Sequence, residues 1–162
     1  MSVDERSFRR ALGSFATGVT IVTSANADGG PVGVTVSSFS SLSLDPPLVL
    51  FCLGGKTSSL KAFKEWGHYV VNVLSDKQRE LSILFSNRKG DKFAEVDFAK
   101  NEHGCPIIAG CLATLECKAE KIVEAGDHLI FIGRVEKISF AAGGQPLVYF
   151  RGAYSGLGEG AA

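Results

Sequence analysis

The segment from residue 33 to residue 53 constrains the fold most, because it crowds hydroxyl side chains at the join between two strands of core character. A β-branched stretch, Val32–Val36, leads into a run of hydroxyl side chains, and a Pro46-Pro47 corner then leads into the wholly apolar stretch Leu48–Leu53. Six hydroxyls fall within nine residues: Thr35, Ser37, Ser38, Ser40, Ser41 and Ser43. Hydroxyls and amides at the junction of two rigid strands predict a site for a polar ligand, although a solvated strand end has the same composition.

A second polar motif, Gly54–Ser58 (Gly-Gly-Lys-Thr-Ser), follows immediately and precedes a predicted helix over residues 58–65. The glycines permit a tight turn, and Lys56 adds a charge beside two hydroxyls. Such donors next to helix amides are suited to a phosphate. The motif is not a Walker loop, because the glycine that a Walker loop needs five residues before its Gly-Lys is Leu50 here.

Strand patterns joined by short turns recur along the whole chain. The predicted strands cover residues 18–23, 32–36, 48–53, 69–74, 111–124, 128–140 and 146–150. Three helices are predicted. The first opens the chain, is capped by Ser2 or Asp4 and has Phe8, Leu12 and Phe15 on one face. The second covers residues 58–65, and the third covers residues 76–85 with Asp76 as its cap. A regular βαβ alternation and a GxGxxG motif are both absent, which argues against a Rossmann fold. We predict one mainly β domain over residues 1–162, an antiparallel barrel with a few short helices, with its core in residues 8–154 and a frayed tail over 155–162.

Charge and hydropathy exclude several classes of function. Lys and Arg together number 17, as do Asp and Glu, so no basic surface is expected to attract nucleic acid or an anionic membrane. No apolar run approaches the roughly 18 residues that a spanning helix needs. The first residues lack the apolar core of a signal peptide, and we therefore expect a cytoplasmic protein.

The four cysteines contain no CxxC pair, and we expect reduced, mostly structural thiols. His103, Cys105, Cys111 and Cys117 invite comparison with a zinc site. Structural zinc sites, however, usually take their ligands in close pairs, so the sequence predicts no metal.

Six segments in consistent order resemble the short-chain flavin reductases, which are the reductase components of two-component flavin monooxygenases. They are Gly18–Thr23 (GVTIVT), residues 33–53, Lys56–Ser59 (KTSS), Gly90–Phe93 (GDKF), Asp127-His128 and Ile132–Val135 (IGRV). The resemblance runs from Phe8 to Tyr154. It implies an FMN-binding split β-barrel that forms a homodimer. It also implies that NADH or NADPH reduces FMN or FAD, and that the reduced flavin passes to a separate oxygenase component.

The resemblance also implies roles for individual residues. His128 is the catalytic candidate, placed where the nicotinamide would stack. The candidates along the flavin ring and ribityl chain are Thr35, Val36, Ser37 and Ser38, with Thr17 and Gly18 nearby. The candidates at the phosphate are Lys56, Thr57, Ser58 and Ser41. Lys92 and Phe93 would close over the flavin edge or over the adenosine of FAD. Tyr154 lines the nicotinamide side or covers the barrel end. Read alone, several of these residues have an ordinary structural explanation: Lys56 as a solvated loop charge, Phe93 as core, and His128 as a half-exposed strand residue.

Two other functions compete with a reductase. A pyridoxamine-phosphate-oxidase-like FMN oxidase would need a second basic cluster, for which only Arg88, Lys89 and Arg151 are candidates. A non-enzymatic flavin-binding module would keep its flavin and show negligible NADH turnover. Hydride transfer between nicotinamide and flavin needs no general base, which agrees with the lack of a paired-carboxylate or Ser-His-Asp pattern. The choices of FMN or FAD, of NADH or NADPH, and of oxygenase partner stay open.

Overall fold

The computed structural model describes residues 3–87 and 90–158. Its helices are Glu5–Leu12 (α1), Leu60–Trp66 (α2), Arg79–Ser86 (α3) and a short 3-10 helix, Asp76–Gln78. Its strands are Thr17–Gly18 (β1), Thr20–Ala25 (β2), Pro31–Val36 (β3), Ser40–Leu44 (β4), Pro47–Gly54 (β5), His68–Val73 (β6), Phe98–Lys100 (β7), Pro106–Ile108 (β8), Ala113–Ala125 (β9), His128–Phe140 (β10), Val148–Phe150 (β11) and Ala153–Ser155 (β12). Asp4 caps α1, as one of the two predicted alternatives. The other alternative, Ser2, the predicted loop residues Arg88 and Lys89, and the tail residues 159–162 lie outside the described residues.

Every paired strand in the described part of the chain is antiparallel. The main sheet has seven strands in the order β3-β2-β6-β9-β10-β5-β4, and two smaller sheets are formed by β1-β11-β12 and by β7-β8. The hairpin of β9 and β10 lies near the middle of the main sheet, with His128 opposite Ala125 at its tip. The prediction of a mainly β, antiparallel fold with a few short helices is confirmed.

Two apolar clusters hold the sheet and helices together. The larger packs α2 on the main sheet, where the Phe51 ring stacks on Phe131 with centroids 5.2 Å apart and meets Phe63 edge-on. The second packs α3 against β2 and includes Ile21, Phe85 and Phe93. Ile21 and Val22 are neighbours on β2 but belong to different clusters, so the two clusters lie on opposite faces of that strand.

Three predicted element boundaries were wrong. The serine-rich junction is itself a strand, β4, which pairs with β5 as a hairpin. The helix predicted from residue 58 begins at Leu60, because residues up to Ser59 form turns, one of them closed by the Leu60 N–H on the Thr57 carbonyl. Phe15 lies beyond the end of α1, and that helix buries none of its residues.

The third predicted helix has a different cap. Asp76 is already helical, and Ser75 is the N-cap, in a capping box with Gln78. A 3-10 turn comes first and α3 follows from Arg79. Strands β7, β8 and β12 were not predicted at all.

All four cysteines are free, as predicted. Burial raises the pKa of Cys105 and of Cys111 to about 11 and that of Cys117 to about 12, so these thiols stay protonated at neutral pH. Among the described helices, none combines the length and apolar character that crossing a bilayer requires.

Candidate functional site

Three adjoining cavities follow β3 and the residues just after it. The first, of about 310 Å³, is bordered by Val32 and Gly33; the second, of about 150 Å³, by Val34; and the third, of about 370 Å³, by Thr35 and Ser37. The first and second share Ser58, Ser59 and Lys92 as walls, and the second and third share Ser86. Together they form one elongated groove.

The second cavity collects donors of the kind that bind an anion. Its described lining includes two lysines and four hydroxyls and no carboxylate: Lys56, Thr57, Ser58, Ser59, Ser86 and Lys92. The sequence predicted that helix amides would add to these donors. The structure differs, because α2 starts beyond the loop and the Thr57 N–H already donates to the Gly54 carbonyl. The lysine and hydroxyl side chains of the lining thus supply donors at this site without the helix amides.

Lys92 lies between the first and second cavities and is partly buried. Its Nζ donates to the carbonyls of Phe85, at 3.0 Å, and Gly33, at 3.3 Å. The Phe85 carbonyl belongs to the last turn of α3, where the helix dipole favours a cation. Burial lowers the pKa of Lys92. The ammonium thus ties α3 to β3 while bordering both cavities.

Phe93 is mainly a core residue. It is buried and meets Phe85 edge-on, with ring centroids 5.0 Å apart, and it also borders the first cavity. Gly33 makes this packing possible, because a Cβ there would lie 2.6 Å from Phe85 Cε1 and 3.2 Å from Phe93 Cζ. No local sequence signal marks Gly33, since only the tertiary packing shows why it must be glycine.

The third cavity has an aromatic and hydroxyl wall. Thr35 Oγ1 donates to the Ser82 carbonyl at 2.7 Å, and Ser82 Oγ lies 2.8 Å from Tyr154 Oη. Tyr149 meets Tyr154 edge-on, with centroids 5.3 Å apart. Aromatic edges beside hydroxyls are suited to a planar ring with polar substituents. Sequence reasoning missed Ser82 and Ser86, whose one signal is a spacing of four residues on the same face of a predicted helix.

His128 is placed beside the second cavity. It opens β10 opposite Gly54, and a Cβ built on Gly54 would lie 3.6 Å from His128 Nε2 and 3.8 Å from Thr57 Oγ1. Asp127 Oδ1 lies 2.7 Å from His128 Nδ1. The hydrogen bond from the imidazole, reinforced by its charge, lowers the pKa of Asp127. The structure thus brings the predicted catalytic histidine and the predicted phosphate loop together, with Asp127 holding one ring nitrogen.

Five of the predicted flavin residues lie outside the described linings of these cavities: Thr17, Gly18, Val36, Ser38 and Ser41. Val36 is buried in the larger apolar cluster. The Ser38 hydroxyl bonds both backbone groups of Cys52, accepting from its N–H at 2.9 Å and donating to its carbonyl at 3.2 Å. Ser41 is exposed on the outer strand β4. The binding roles of these residues stay predictions.

Thr17 and Gly18 form β1, which pairs with β11. Thr17 Oγ1 is buried without a hydrogen-bond partner in the described part of the chain. A buried hydroxyl left unpaired is costly, and a ligand is one way to satisfy it. This orphaned atom and the donors around Lys56 fit a polar, anionic cofactor such as a flavin nucleotide.

Comparisons with known proteins agree with this chemistry. Residues 12–158 match the model of the flavin reductase like domain. The chain is 42% identical over 157 residues to the reductase subunit HsaB of a flavin-dependent monooxygenase from Mycobacterium tuberculosis, covering 96% of this chain and 83% of that protein. It is 44% identical over 151 residues to the FMN reductase (NADH) SmoA of Agrobacterium fabrum, covering 93% and 85%. The NADH:FAD oxidoreductase SgcE6 of Streptomyces globisporus, solved with NAD and FAD fragments, superposes with a TM-score of 0.92 at 34% identity, covering all of this chain and 99% of that one.

Proposed function

The chain belongs to the flavin reductase like family, and from that premise we propose that it reduces FMN or FAD with NADH or NADPH and delivers the reduced flavin to a separate monooxygenase component. The observation that carries the proposal is the second cavity, where Lys56, Thr57 and Ser58 meet Lys92 in a lining without a described carboxylate. A flavin nucleotide has a phosphate of matching charge. When bound, the flavin supplies a hydride acceptor, so the protein needs to bind and orient two ring systems.

The order of the cavities suggests how the flavin lies. The second cavity would hold the phosphate, and the third would hold the ring against Thr35, Ser37 and Tyr154, with Thr17 nearby. The first cavity lies beyond the phosphate, bordered by Lys92 and Phe93. It would take the adenosine of FAD and would stay free with FMN. Roles for Val36 and Ser38 along the ring and ribityl chain, for Gly18 nearby and for Ser41 at the phosphate stay predictions.

We assign His128 to orienting the hydride donor. Asp127 holds Nδ1, which leaves Nε2 facing the Gly54 and Thr57 side of the groove. A histidine held in this way can donate to, or accept from, the amide or ribose of a nicotinamide without shifting its own ring. Its contribution is therefore expected mainly in the use of the nicotinamide substrate.

We also propose a homodimer in the cytoplasm. Several large apolar side chains are exposed on the single chain, among them Leu44 at 95%, Phe15 at 77% and Phe140 at 76%. A second copy that covers them would remove this apolar surface from water. Four free cysteines suit a reducing compartment. Sedimentation at micromolar concentration tests the dimer, since monomers there would contradict it, and fractionation of the source cells tests the location.

The decisive experiment mixes the purified protein with FMN or FAD and follows the oxidation of NADH and NADPH. We expect oxidation that increases with added flavin, and the rates with each pair will show which flavin and which nicotinamide are used. Bound flavin without oxidation of either nucleotide would instead indicate a flavin-binding module. No flavin binding would overturn the proposal.

A further inference from the structure

A second cluster of ligand-type side chains lies far along β10 from His128. His68, His103 and Glu136 each place a ligand atom within 4.8 Å of the others. Glu136 is eight residues from His128 on the same strand, a separation of about 25 Å at the rise of an extended chain. None of the three residues borders the groove described above. The cluster is thus separate from the proposed reductase site.

The two histidines are held in place by hydrogen bonds to their backbones. Their rings stack with centroids 3.7 Å apart and planes 14° apart. The His68 carbonyl accepts from Ser24 Oγ at 2.7 Å, and the His103 carbonyl accepts from Trp66 Nε1 at 2.9 Å. The anchored backbones keep the two imidazoles together, but the in-plane lone pairs of parallel rings do not converge, so one ring has to turn about its side-chain torsions before both can bind one ion.

The loop that carries His103 has a defined shape. Asn101 Oδ1 accepts from the N–H of His103 at 3.0 Å and from that of Cys105 at 2.9 Å. Asn101 Nδ2 donates to Glu116 of β9 at 2.8 Å, which fixes the loop to the main sheet. His103 is therefore carried by an ordered turn.

A β-bulge directs Glu136 toward the histidines. Val135 lies opposite Cys117 and Lys137 lies opposite Glu116, so Glu136 is the extra residue between them. Bulges commonly re-aim a side chain in this way. Glu136 is exposed and forms no ion pair with the described residues, so its carboxylate is free to turn toward a ligand.

We propose that His68, His103 and Glu136 bind a divalent transition-metal ion, with Zn²⁺ as the best match. Two imidazoles and one carboxylate are a donor set that zinc uses, with water in the fourth position. Tetrahedral zinc at about 2.05 Å from each ligand needs ligand atoms about 3.4 Å apart, and the ligand atoms of the cluster all lie within 4.8 Å of one another. Binding therefore requires rotation of the exposed Glu136 side chain and a turn of one of the two stacked imidazoles. The bound ion would tie the 101–105 loop to β6 and β10.

This set differs from the pattern of His103, Cys105, Cys111 and Cys117, for which the sequence predicted no metal. Cys105 is next to the cluster, but its Sγ donates to the His68 carbonyl at 3.4 Å. Calcium and magnesium do not fit, because they prefer oxygen ligands. Glu136 and His68 are 68 residues apart in the chain, which is why no local motif reveals the site.

The test uses untagged, chelator-treated full-length protein titrated with Zn²⁺ by calorimetry and with Co²⁺ by visible absorption. We expect one ion per chain and a Co²⁺ spectrum of low coordination number. His103→Gln and Glu136→Gln should each weaken binding by at least about tenfold, since even the loss of an outer-shell partner commonly costs that much. His128→Gln is the matched control, because it removes a histidine beside a carboxylate elsewhere on β10, and it should bind as the wild type does.

Glu136→Gln changes an exposed side chain and should fold normally. It therefore tests metal binding by the cluster even if His103→Gln does not fold. The proposal is overturned if the wild-type protein gives no saturable Zn²⁺ binding. It is equally overturned if Glu136→Gln keeps wild-type affinity, or if His128→Gln loses as much affinity as the cluster variants. Metal binding is measured without flavin or nicotinamide, so its failure would leave the proposed reductase function untouched.

Discussion

Replacing Tyr69 by phenylalanine is expected to stabilise the protein, which is an unusual sign for a change in a core. Tyr69 is 1% exposed, and its hydroxyl is buried with no hydrogen-bond partner in the described part of the chain. Burial raises the pKa of Tyr69, so the group stays neutral. The ring meets Phe51 edge-on at 5.0 Å, and the hydroxyl occupies the space above Gly133, where a Cβ would overlap it.

The magnitude follows from two opposing terms. An unsatisfied buried hydroxyl costs about 1–3 kcal/mol, which the substitution removes. Deleting the oxygen opens a gap beside Gly133. The contacts that the oxygen made are lost, and each of these few contacts costs about 0.1–0.2 kcal/mol. The net gain is about 1 kcal/mol, which for a domain of this size raises the melting temperature by about 2–4 °C.

The assay is urea denaturation of flavin-free protein at one fixed concentration, read as the shift in midpoint at constant slope. Tyr154→Phe is the matched control, because its hydroxyl lies 2.8 Å from Ser82 Oγ and its loss should lower stability by about 1 kcal/mol. If Tyr69→Phe lowers stability as much as Tyr154→Phe does, the Tyr69 hydroxyl has a partner and the reasoning is refuted.

Three further changes test the site. Lys56→Ala should weaken flavin binding by about 1.5–3 kcal/mol, the value of a hydrogen bond to a charged group. The control Lys61→Ala, on the exposed side of α2, should leave flavin binding unchanged. Fluorescence titration measures both affinities, and equal effects would contradict the phosphate assignment. His128→Ala should lower kcat/KM for the nicotinamide by about tenfold or more, because a positioning contact is lost, and should leave flavin affinity close to that of the wild type. Unchanged steady-state kinetics would remove His128 from the mechanism. Gly33→Ala should destabilise the protein by about 1–3 kcal/mol, because the new Cβ meets buried Phe85, and an unchanged urea midpoint would show that the ring moves aside freely.

The sequence predicted best those features that neighbouring residues determine. The turns at residues 26–30 and 125–127 carry their own signals. Of the strands beside them, His128–Phe140 was predicted with its exact bounds, and the other three were predicted with ends shifted by one or two residues. Strand β4 was missed because its serines were interpreted as a polar junction, although residues 41–44 alternate between serine and leucine. It is a strand because it pairs along the edge of β5, and that pairing is not visible in its own residues.

The cap before α3 shows how contacts distant in sequence choose between adjacent candidates. Ser75 and Asp76 are both good N-cap residues. The Asp76 N–H donates to the Gln145 carbonyl at 2.8 Å, and the Gln78 side chain donates to the Ala109 carbonyl, so partners far along the chain place the cap at Ser75. Local preference alone could not separate the two.

The candidate site divides in the same way. Lys56, Thr57 and Ser58 are adjacent in sequence, so their shared cavity was predictable. The wall formed by Ser82 and Tyr154 exists only because α3 packs beside β3 and the last strands return to it. A single sequence contains the residues of such a wall but no local sign of their meeting.

The exposed position of α1 offers a local reporter of assembly. The helix buries none of its residues, and the chain around it is tied to the rest by the Arg151 N–H bond to the Gly13 carbonyl. An eight-residue helix without packing is only marginally stable. In an isolated chain its amide hydrogens should exchange with deuterium almost as fast as those of an unfolded peptide. A partner that covers Phe8 and Leu12 would slow that exchange, so deuterium uptake at these few amides would locate the contact as well as detect it.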